Sequence, residues 1–157
     1  MPAAAEASEC VKQIFNRFCL GGPIAKLNAD ASELSSDGIE TVYQLTDRGK
    51  YVEIAERSAH IHTVMRRETP GGWLNFTEWK TKLQRVYGRG EDLGHFPAYA
   101  SSRSSRLNAI NAGKGYAHFR WQQSGWSVSL VWNHRDYIEL RYALDEHAGG
   151  GLDDEGL

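Results

Sequence analysis

Apolar side chains recur at helical spacing near the start and in the middle of the chain. Val11, Ile14, Phe15 and Phe18 follow the i, i+3, i+4, i+7 pattern of one helix face. This pattern predicts a helix over residues 4–20, which the following Gly-Gly-Pro would end. The same criterion predicts two more helices, over residues 75 or 77 to 87 and, from a weaker pattern, over residues 101–112.

Alternation of apolar and polar residues predicts strands in most of the remainder. The predicted strands cover residues 39–46, 50–56, 60–66, 116–122 and 126–132. The first three form a meander, and the last two form a hairpin around residues 123–125. Residues 135–144 fit a helix about as well as a strand, and we favour a helix because Asn133 or Asp136 could cap it. The chain is therefore expected to be α+β, an antiparallel sheet with helices packed on one face.

A chain of 157 residues has room for one ordinary domain. We expect an N-terminal helix and a linker at residues 1–38, a core at residues 39–147, and a disordered acidic tail at residues 148–157. No apolar run approaches the roughly 20 residues of a membrane span, and the first residues do not resemble a secretory signal. These features predict a soluble, cytoplasmic protein.

The two cysteines indicate the redox environment in which the protein acts. Cys10 and Cys19 would share the first predicted helix. At a rise of about 1.5 Å per residue their Cα atoms would be roughly 13 Å apart, which is beyond the reach of a disulfide. The spacing predicts two free thiols and a reducing compartment.

Strand alternation places polar side chains on one face of the hairpin. Ala117, Phe119 and Trp121 lie on one side of the first strand, and His118 and Arg120 lie on the other. On the return strand Ser127 and Ser129 oppose an apolar face. Arginine binds phosphate and serine hydroxyls can exchange hydrogen bonds with ribose 2′-OH groups, so this face suits double-stranded RNA. A wet sheet face without any ligand is the common alternative.

The strand at residues 60–66 extends this pattern. Alternation places His60, His62 and Arg66 on the face opposite Ile61, Thr63 and Met65. Two histidines on one strand face are also the start of a metal site, but no nearby cysteine or carboxylate completes a ligand set. We therefore expect no metal. The sequence also has no phosphate-binding loop, nucleophile elbow or paired carboxylates at a recognisable spacing, so we expect no cofactor and no catalytic residues.

The charge distribution supports a polyanionic partner. Residues 57–144 carry 13 Lys/Arg against 6 Asp/Glu, whereas acidic flanks bring the whole chain to −2. A basic middle between acidic flanks is typical of a surface for nucleic acid, which the overall charge conceals.

Several short motifs resemble one family in sequence and in order. They are Leu83-Gln84-Arg85-Val86-Tyr87-Gly88 at a helix end, Tyr99-Ala100-Ser101-Ser102-Arg103, and a hairpin with Phe119-Arg120 and Val128-Ser129-Leu130-Val131. Together they resemble the tombusvirus and aureusvirus suppressors of RNA silencing over about residues 60–147. The resemblance implies an α+β homodimer whose joined sheets sequester short double-stranded RNA, without catalysis.

Carried over by position, the resemblance implies RNA contacts on two strands. Arg120 would lie on the RNA-facing sheet with His118, Ser127 and Ser129 around it, and Arg66 or Arg67 would supply basic groups from an earlier strand. The best-known members also stack N-terminal tryptophans on the duplex ends. This chain has no tryptophan before Trp73, so Tyr43, Tyr51 and Trp73 are the stacking candidates.

Two other functional classes remain open on the sequence. The first is a protein-interaction module, such as an inhibitor or immunity-type protein, whose basic sheet meets an acidic partner. The second is an enzyme that uses a metal at His60 and His62. Binding of a protein but not of RNA would indicate the first, and metal retained after purification would indicate the second.

Overall fold

The structure is a computed structural model that describes residues 10–24 and 31–145. Within these residues the chain forms ten strands and two helices. In chain order they are β1 (Lys12–Ile14), β2 (Phe18–Leu20), β3 (Ser32–Ser36), β4 (Glu40–Asp47), β5 (Lys50–Arg57), β6 (His60–Glu68), α1 (Trp73–Tyr87), β7 (Glu91–Asp92), α2 (Arg103–Asn111), β8 (Ala117–Gln122), β9 (Trp126–Trp132) and β10 (Ile138–Leu144).

The predicted α+β class is confirmed, with more sheet than helix. Eight strands form an antiparallel sheet in the order β3-β4-β5-β6-β10-β9-β8-β7, and β1 pairs separately with β2. The predicted meander corresponds to β4, β5 and β6, and the predicted hairpin to β8 and β9. Both later helices are present, although α1 begins slightly earlier than predicted. Among the described residues, no helix is both long and apolar enough to cross a bilayer.

The chain divides into two compact units. The first contains the described residues up to 66, together with residues 123–127 and 142–145. The second consists of residues 67–122 and 128–141, all of which are described.

The predicted N-terminal helix is wrong where the chain is described. Residues 12–20 form the β1–β2 hairpin, in which Ile14 and Phe18 are direct cross-strand partners. Phe15 and Asn16 make the turn with positive φ values of 55° and 57°. A tight hairpin thus reproduces the four-residue spacing of a helix turn. Residues 1–9 and the acidic tail from residue 146 lie outside the described residues.

The same hairpin overturns the prediction of two free thiols. Cys10 and Cys19 form a disulfide, with their Cα atoms 5.4 Å apart. An antiparallel return brings them together, whereas a helix would have held them apart. The expectation of a reducing compartment rested on that separation and loses its basis, because disulfides persist mainly in oxidising environments.

Two further segments differ from their predictions. Part of the predicted linker forms β3, which pairs with β4 although all five of its residues are exposed. The favoured helix at residues 135–144 is also wrong, because the segment contains β10, in which Ile138, Leu140 and Tyr142 are buried and Arg141 is exposed. This alternation is typical of a strand, but Tyr137, Leu140 and Leu144 also have helical spacing, which made the segment ambiguous in sequence.

In the first unit the β1–β2 hairpin packs beside the meander. Gly21 donates a backbone hydrogen bond to Ile61 O, and Ile61 donates one to Gly22 O, both at 2.8 Å. Arg17 Nη1 lies 2.8 Å from Asp47 Oδ1, and the Asp47 side chain is almost fully buried. Burial raises the pKa of Asp47. The hydrogen bond and charge of Arg17, together with the charge of Arg48, lower this pKa by more than burial raises it, so it lies below its ordinary value.

A bulge in β6 changes which of its side chains share a face. Ala55 pairs with Thr63 and Glu56 with Ile61, so His62 has no cross-strand partner. Because the extra residue inverts the alternation, Arg66 shares the face of Ile61, and His60 lies on the other face. The predicted common face of His60, His62 and Arg66 is therefore wrong.

In the second unit α1 packs on the apolar side of the β8–β9 hairpin. Its Trp73 and Phe76 rings lie 6.0 and 6.5 Å from the Trp132 ring. At the helix end the Trp121 indole N–H donates to Gly88 O at 2.9 Å. The rings and this hydrogen bond hold α1 against the hairpin.

We predict that the disulfide stabilises the fold through its short closed loop. Replacing both cysteines, in Cys10→Ser/Cys19→Ser, should lower the free energy of unfolding by about 2 to 3 kcal/mol, since the unfolded chain gains freedom. Urea denaturation followed by circular dichroism measures this. Reduction of the wild type should produce the same loss, and an unchanged midpoint after reduction would show that the bond does not form in solution.

Candidate nucleic-acid interface

The second unit presents a polar face on the side of the hairpin away from α1. In β8, Ala117 and Trp121 are buried, while His118 and Arg120 are partly exposed. In β9, Ser129 lies between buried Val128 and Leu130, as strand alternation predicts. Strand β10 adds Arg141, which is exposed beside buried Leu140. We call the group of His118, Arg120, Ser129 and Arg141 the polar face.

Both arginines of the polar face already contact carboxylates. Arg120 Nη2 lies 3.3 Å from Glu91 Oε1, and these two residues are cross-strand partners in β7 and β8. Arg141 Nη2 lies 2.7 Å from Glu139 Oε1. Exposed ion pairs contribute little, typically below about 1 kcal/mol, so an incoming anion can exchange with the exposed Glu91. Glu139 is more buried, and its pair is harder to open.

His118 is a partly buried member of the polar face. Burial lowers its pKa, and the positive charges of Arg120 and Arg141 lower it further. The imidazole is therefore neutral at pH 7. Its Nε2 atom is buried and has no hydrogen-bond partner among the residues that the structure describes. At neutral pH His118 adds no positive charge for phosphate.

The other two predicted arginines are neighbours near the end of β6, and each contacts an aromatic ring. Arg66 belongs to the first unit, where its guanidinium carbon lies 3.9 Å from the centre of the Phe15 ring. Arg67 belongs to the second unit and lies 4.2 Å from the centre of the Tyr137 ring. Adjacent residues on a strand point to opposite sides, and each of these arginines contacts an aromatic ring. Ser127, which is partly exposed, is also in the first unit.

Of the three candidate stacking residues, Tyr43 and Tyr51 belong to the first unit and Trp73 to the second. The register places Tyr43 on the face of Ile54, and Tyr51 on the opposite face with Gln44 and Glu53. The Tyr51 hydroxyl lies within hydrogen-bonding distance of both polar partners. Trp73 packs against Phe76 and Trp132 in the second unit. None of these arrangements forms a pair of parallel rings for the ends of a duplex.

The described residues supply no ligand set for a metal ion at His60 and His62. His62 is the unpaired residue of the bulge, and its Nδ1 lies 3.1 Å from the Thr63 hydroxyl oxygen. His60 Nδ1 lies 2.8 Å from Ser58 O. Within residues 10–24 and 31–145, no three His, Cys, Asp or Glu side chains are grouped so that they could hold a metal ion.

Sequence reasoning missed Arg141 and the two carboxylates. Arg141 was hidden inside the predicted helix at residues 135–144, although the alternation around Leu140 was a usable signal. The pairing of Glu91 with Arg120 joins segments 29 residues apart and had no local signal. The basic residues are concentrated in the second unit, which carries 11 Lys/Arg against 6 Asp/Glu, a net charge of +5.

We predict that His118 makes the stability of the protein pH-dependent. Its pKa is lowered in the fold, so between that value and about 6.5 the unfolded state binds more protons, and stability falls as the pH falls through this window. His118→Gln should reduce the loss of stability between pH 7.5 and 5.5 in urea titrations. The matched variant of an exposed histidine, His95→Gln, should lose stability as the wild type does. Equal losses in all three proteins would contradict the prediction.

Comparisons with known proteins assign no family to the chain. No protein-family model matches it, and the comparisons with curated proteins and with solved structures found no match. The similarity to silencing suppressors therefore rests on the short motifs given above. What the chain does must be inferred from the chemistry of its own residues.

Proposed function

We propose that the protein binds short double-stranded RNA on the polar face and so keeps it from the RNA-silencing machinery. The observation that carries the proposal is the coincidence of two arginines and a serine on one sheet face of a unit with a net charge of +5. Duplex RNA is recognised mainly by its shape, through phosphates and 2′-hydroxyls. Such binding breaks no bond and needs no cofactor.

The roles of the residues follow from their chemistry. The guanidinium groups of Arg120 and Arg141 would bind phosphate oxygens, and the Ser129 hydroxyl would exchange a hydrogen bond with a ribose. Phosphate would have to compete with Glu91 and Glu139 for the arginines. Because the contacts are to phosphate, salt should weaken binding, and loss of either competing carboxylate should strengthen it.

A homodimer belongs to this proposal. Two arginines on one chain can neutralise few phosphates, and a second copy with its sheet joined to the first would double the contacts. We also propose action in the cytoplasm, where silencing occurs. Because disulfides are rare there, this location requires that the fold and RNA binding persist after the bond between Cys10 and Cys19 is reduced.

The second candidate function is a protein-interaction module. The disulfide favours it, because disulfides are typical of proteins that act in oxidising compartments. The alternating charges of Glu91, Arg120, Glu139 and Arg141 favour it too, since mixed charges complement a mixed protein surface better than a uniform polyanion. An inhibitor or immunity-type protein would use such a surface.

We predict opposite effects for the cations and anions of the polar face. Arg120→Gln and Arg141→Gln should each weaken binding of labelled short duplex RNA and reduce the slope of log affinity against log salt by about 1. Glu91→Gln should strengthen binding, because its arginine is then available. Fluorescence anisotropy at several salt concentrations measures both effects. Arg103→Gln, an equal charge change at an exposed site on α2, is the control and should leave the slope nearly unchanged.

The comparison of ligands decides between the two candidates. Duplex DNA and single strands of the same sequence should bind more weakly than duplex RNA, in both oxidised and reduced protein. Duplex RNA that binds no better than DNA, or an Arg103→Gln effect equal to that of Arg120→Gln, would sink the RNA proposal. Absence of RNA binding together with saturable binding of one protein partner would support the interaction module.

A further inference from the structure

The second unit contains a cavity of about 450 Å³ on the helix side of the β8–β9 hairpin. Its walls come from α1, α2, the segment at residues 92–96 and the start of β8. Four aromatic rings line it, from Trp73, Phe76, Phe96 and Phe119. The volume lies within the range of small-molecule sites, about 300 to 1,000 Å³.

Two cations border this cavity and lie over its aromatic rings. Lys80 Nζ is 4.1 Å from the centre of the Phe119 ring. The Arg106 guanidinium carbon is 5.0 Å from the Phe96 ring centre and 5.5 Å from that of Trp73. Both side chains are partly buried. Cation–π contacts of this kind hold the charged groups against the cavity wall.

The charges of these two cations are not balanced by ion pairs. Among the residues that the structure describes, neither Lys80 nor Arg106 has a carboxylate within 4 Å. Arg106 donates from Nε to Ala100 O at 3.2 Å, which leaves its terminal nitrogens for another acceptor. Asp92 is the one acidic residue of the lining, and its Oδ1 accepts from Gly94 N. The charged side chains of Lys80, Arg106 and Asp92 thus give a net charge of +1.

We propose that this cavity binds a small aromatic molecule with a single negative charge, such as a bicyclic aromatic carboxylate. The planar ring would pack against the aromatic walls, and the carboxylate would lie between Lys80 and Arg106. Ring surface and positive charge meet at the same place, which matches an amphipathic anion better than a neutral aromatic or a free inorganic ion. His118 borders both the cavity and the polar face. Neither Lys80 nor Arg106 belongs to the polar face, so the proposal does not depend on RNA binding.

A series of naphthalenes tests charge and ring packing together. Isothermal titration calorimetry would compare 2-naphthoate with the neutral 2-naphthamide and the cationic 2-naphthylmethylamine, which share one ring system. The wild type should bind the carboxylate about tenfold more tightly than the amide, and the amine most weakly, because only the carboxylate gains charged hydrogen bonds. Equal affinities for the three compounds, or no binding at millimolar concentrations, would overturn the proposal.

Variants assign the preference to the cavity. Lys80→Met and Arg106→Met should each remove most of the preference for 2-naphthoate over 2-naphthamide. Lys82→Met is the matched control, since Lys82 is on the same helix and lies over the Trp79 ring at 4.6 Å, outside the cavity. If Arg106→Met does not fold, judged by circular dichroism, Arg106→Gln replaces it. A preference lost equally in Lys82→Met, or retained in folded Lys80→Met, would refute the site.

Discussion

Burial of large rings on one side of the second unit determines where its charged residues lie. Trp121 and Trp132 are 2% and 1% exposed, and they occupy alternating positions of β8 and β9 that face α1. Because successive side chains of a strand point to opposite sides, burying these rings places Arg120 and Ser129 on the other side. A one-residue shift in register would bury the arginine and expose the tryptophans. Ring burial therefore stabilises the hairpin and positions the polar face.

The two sides of this hairpin use positive charge differently. On the polar face Arg120 and Arg141 contact carboxylates, which offset their charge in the absence of a ligand. On the helix side Lys80 and Arg106 lie over aromatic rings instead. A ring attracts a cation without cancelling its charge, whereas a carboxylate does both. Net charge alone could not distinguish arginines that pair with carboxylates from cations that lie against aromatic rings.

In the first unit a covalent bond and a buried ion pair hold a short hairpin beside the meander. The β1 and β2 strands have three residues each, and an isolated hairpin of that length is not stable in water. The Cys10–Cys19 bond closes it, and the ion pair of Arg17 with Asp47 joins it to β4. Removal of Arg17 would leave a buried carboxylate without its nearest cation, which is a costly change in any fold. Reduction of the Cys10–Cys19 bond would therefore act on this unit through the β1–β2 hairpin.

The sequence by itself determined the elements in which one period dominates. The strands of the meander and of the β8–β9 hairpin, helix α1, and the opposition of Arg120 to Trp121 all follow from local alternation or helical spacing. Local spacing was ambiguous at Ile14 and Phe18, because a tight hairpin pairs residues four apart just as a helix turn does. It was also ambiguous around β10, where Tyr137, Leu140 and Leu144 have helical spacing while Ile138, Leu140 and Tyr142 alternate as in a strand.

Only the tertiary structure decided the disulfide, the carboxylate partners of the arginines, the face of Arg66 and the cavity. Each depends on contacts between segments distant along the chain, as Arg120 with Glu91, or on an irregularity such as the bulge at His62. Periodicity reports the environment of a residue relative to its near neighbours and contains no information on which distant segment supplies its partner. The sequence therefore showed that the middle of the chain is basic, and the fold determined which of those charges are paired with carboxylates and which lie against rings.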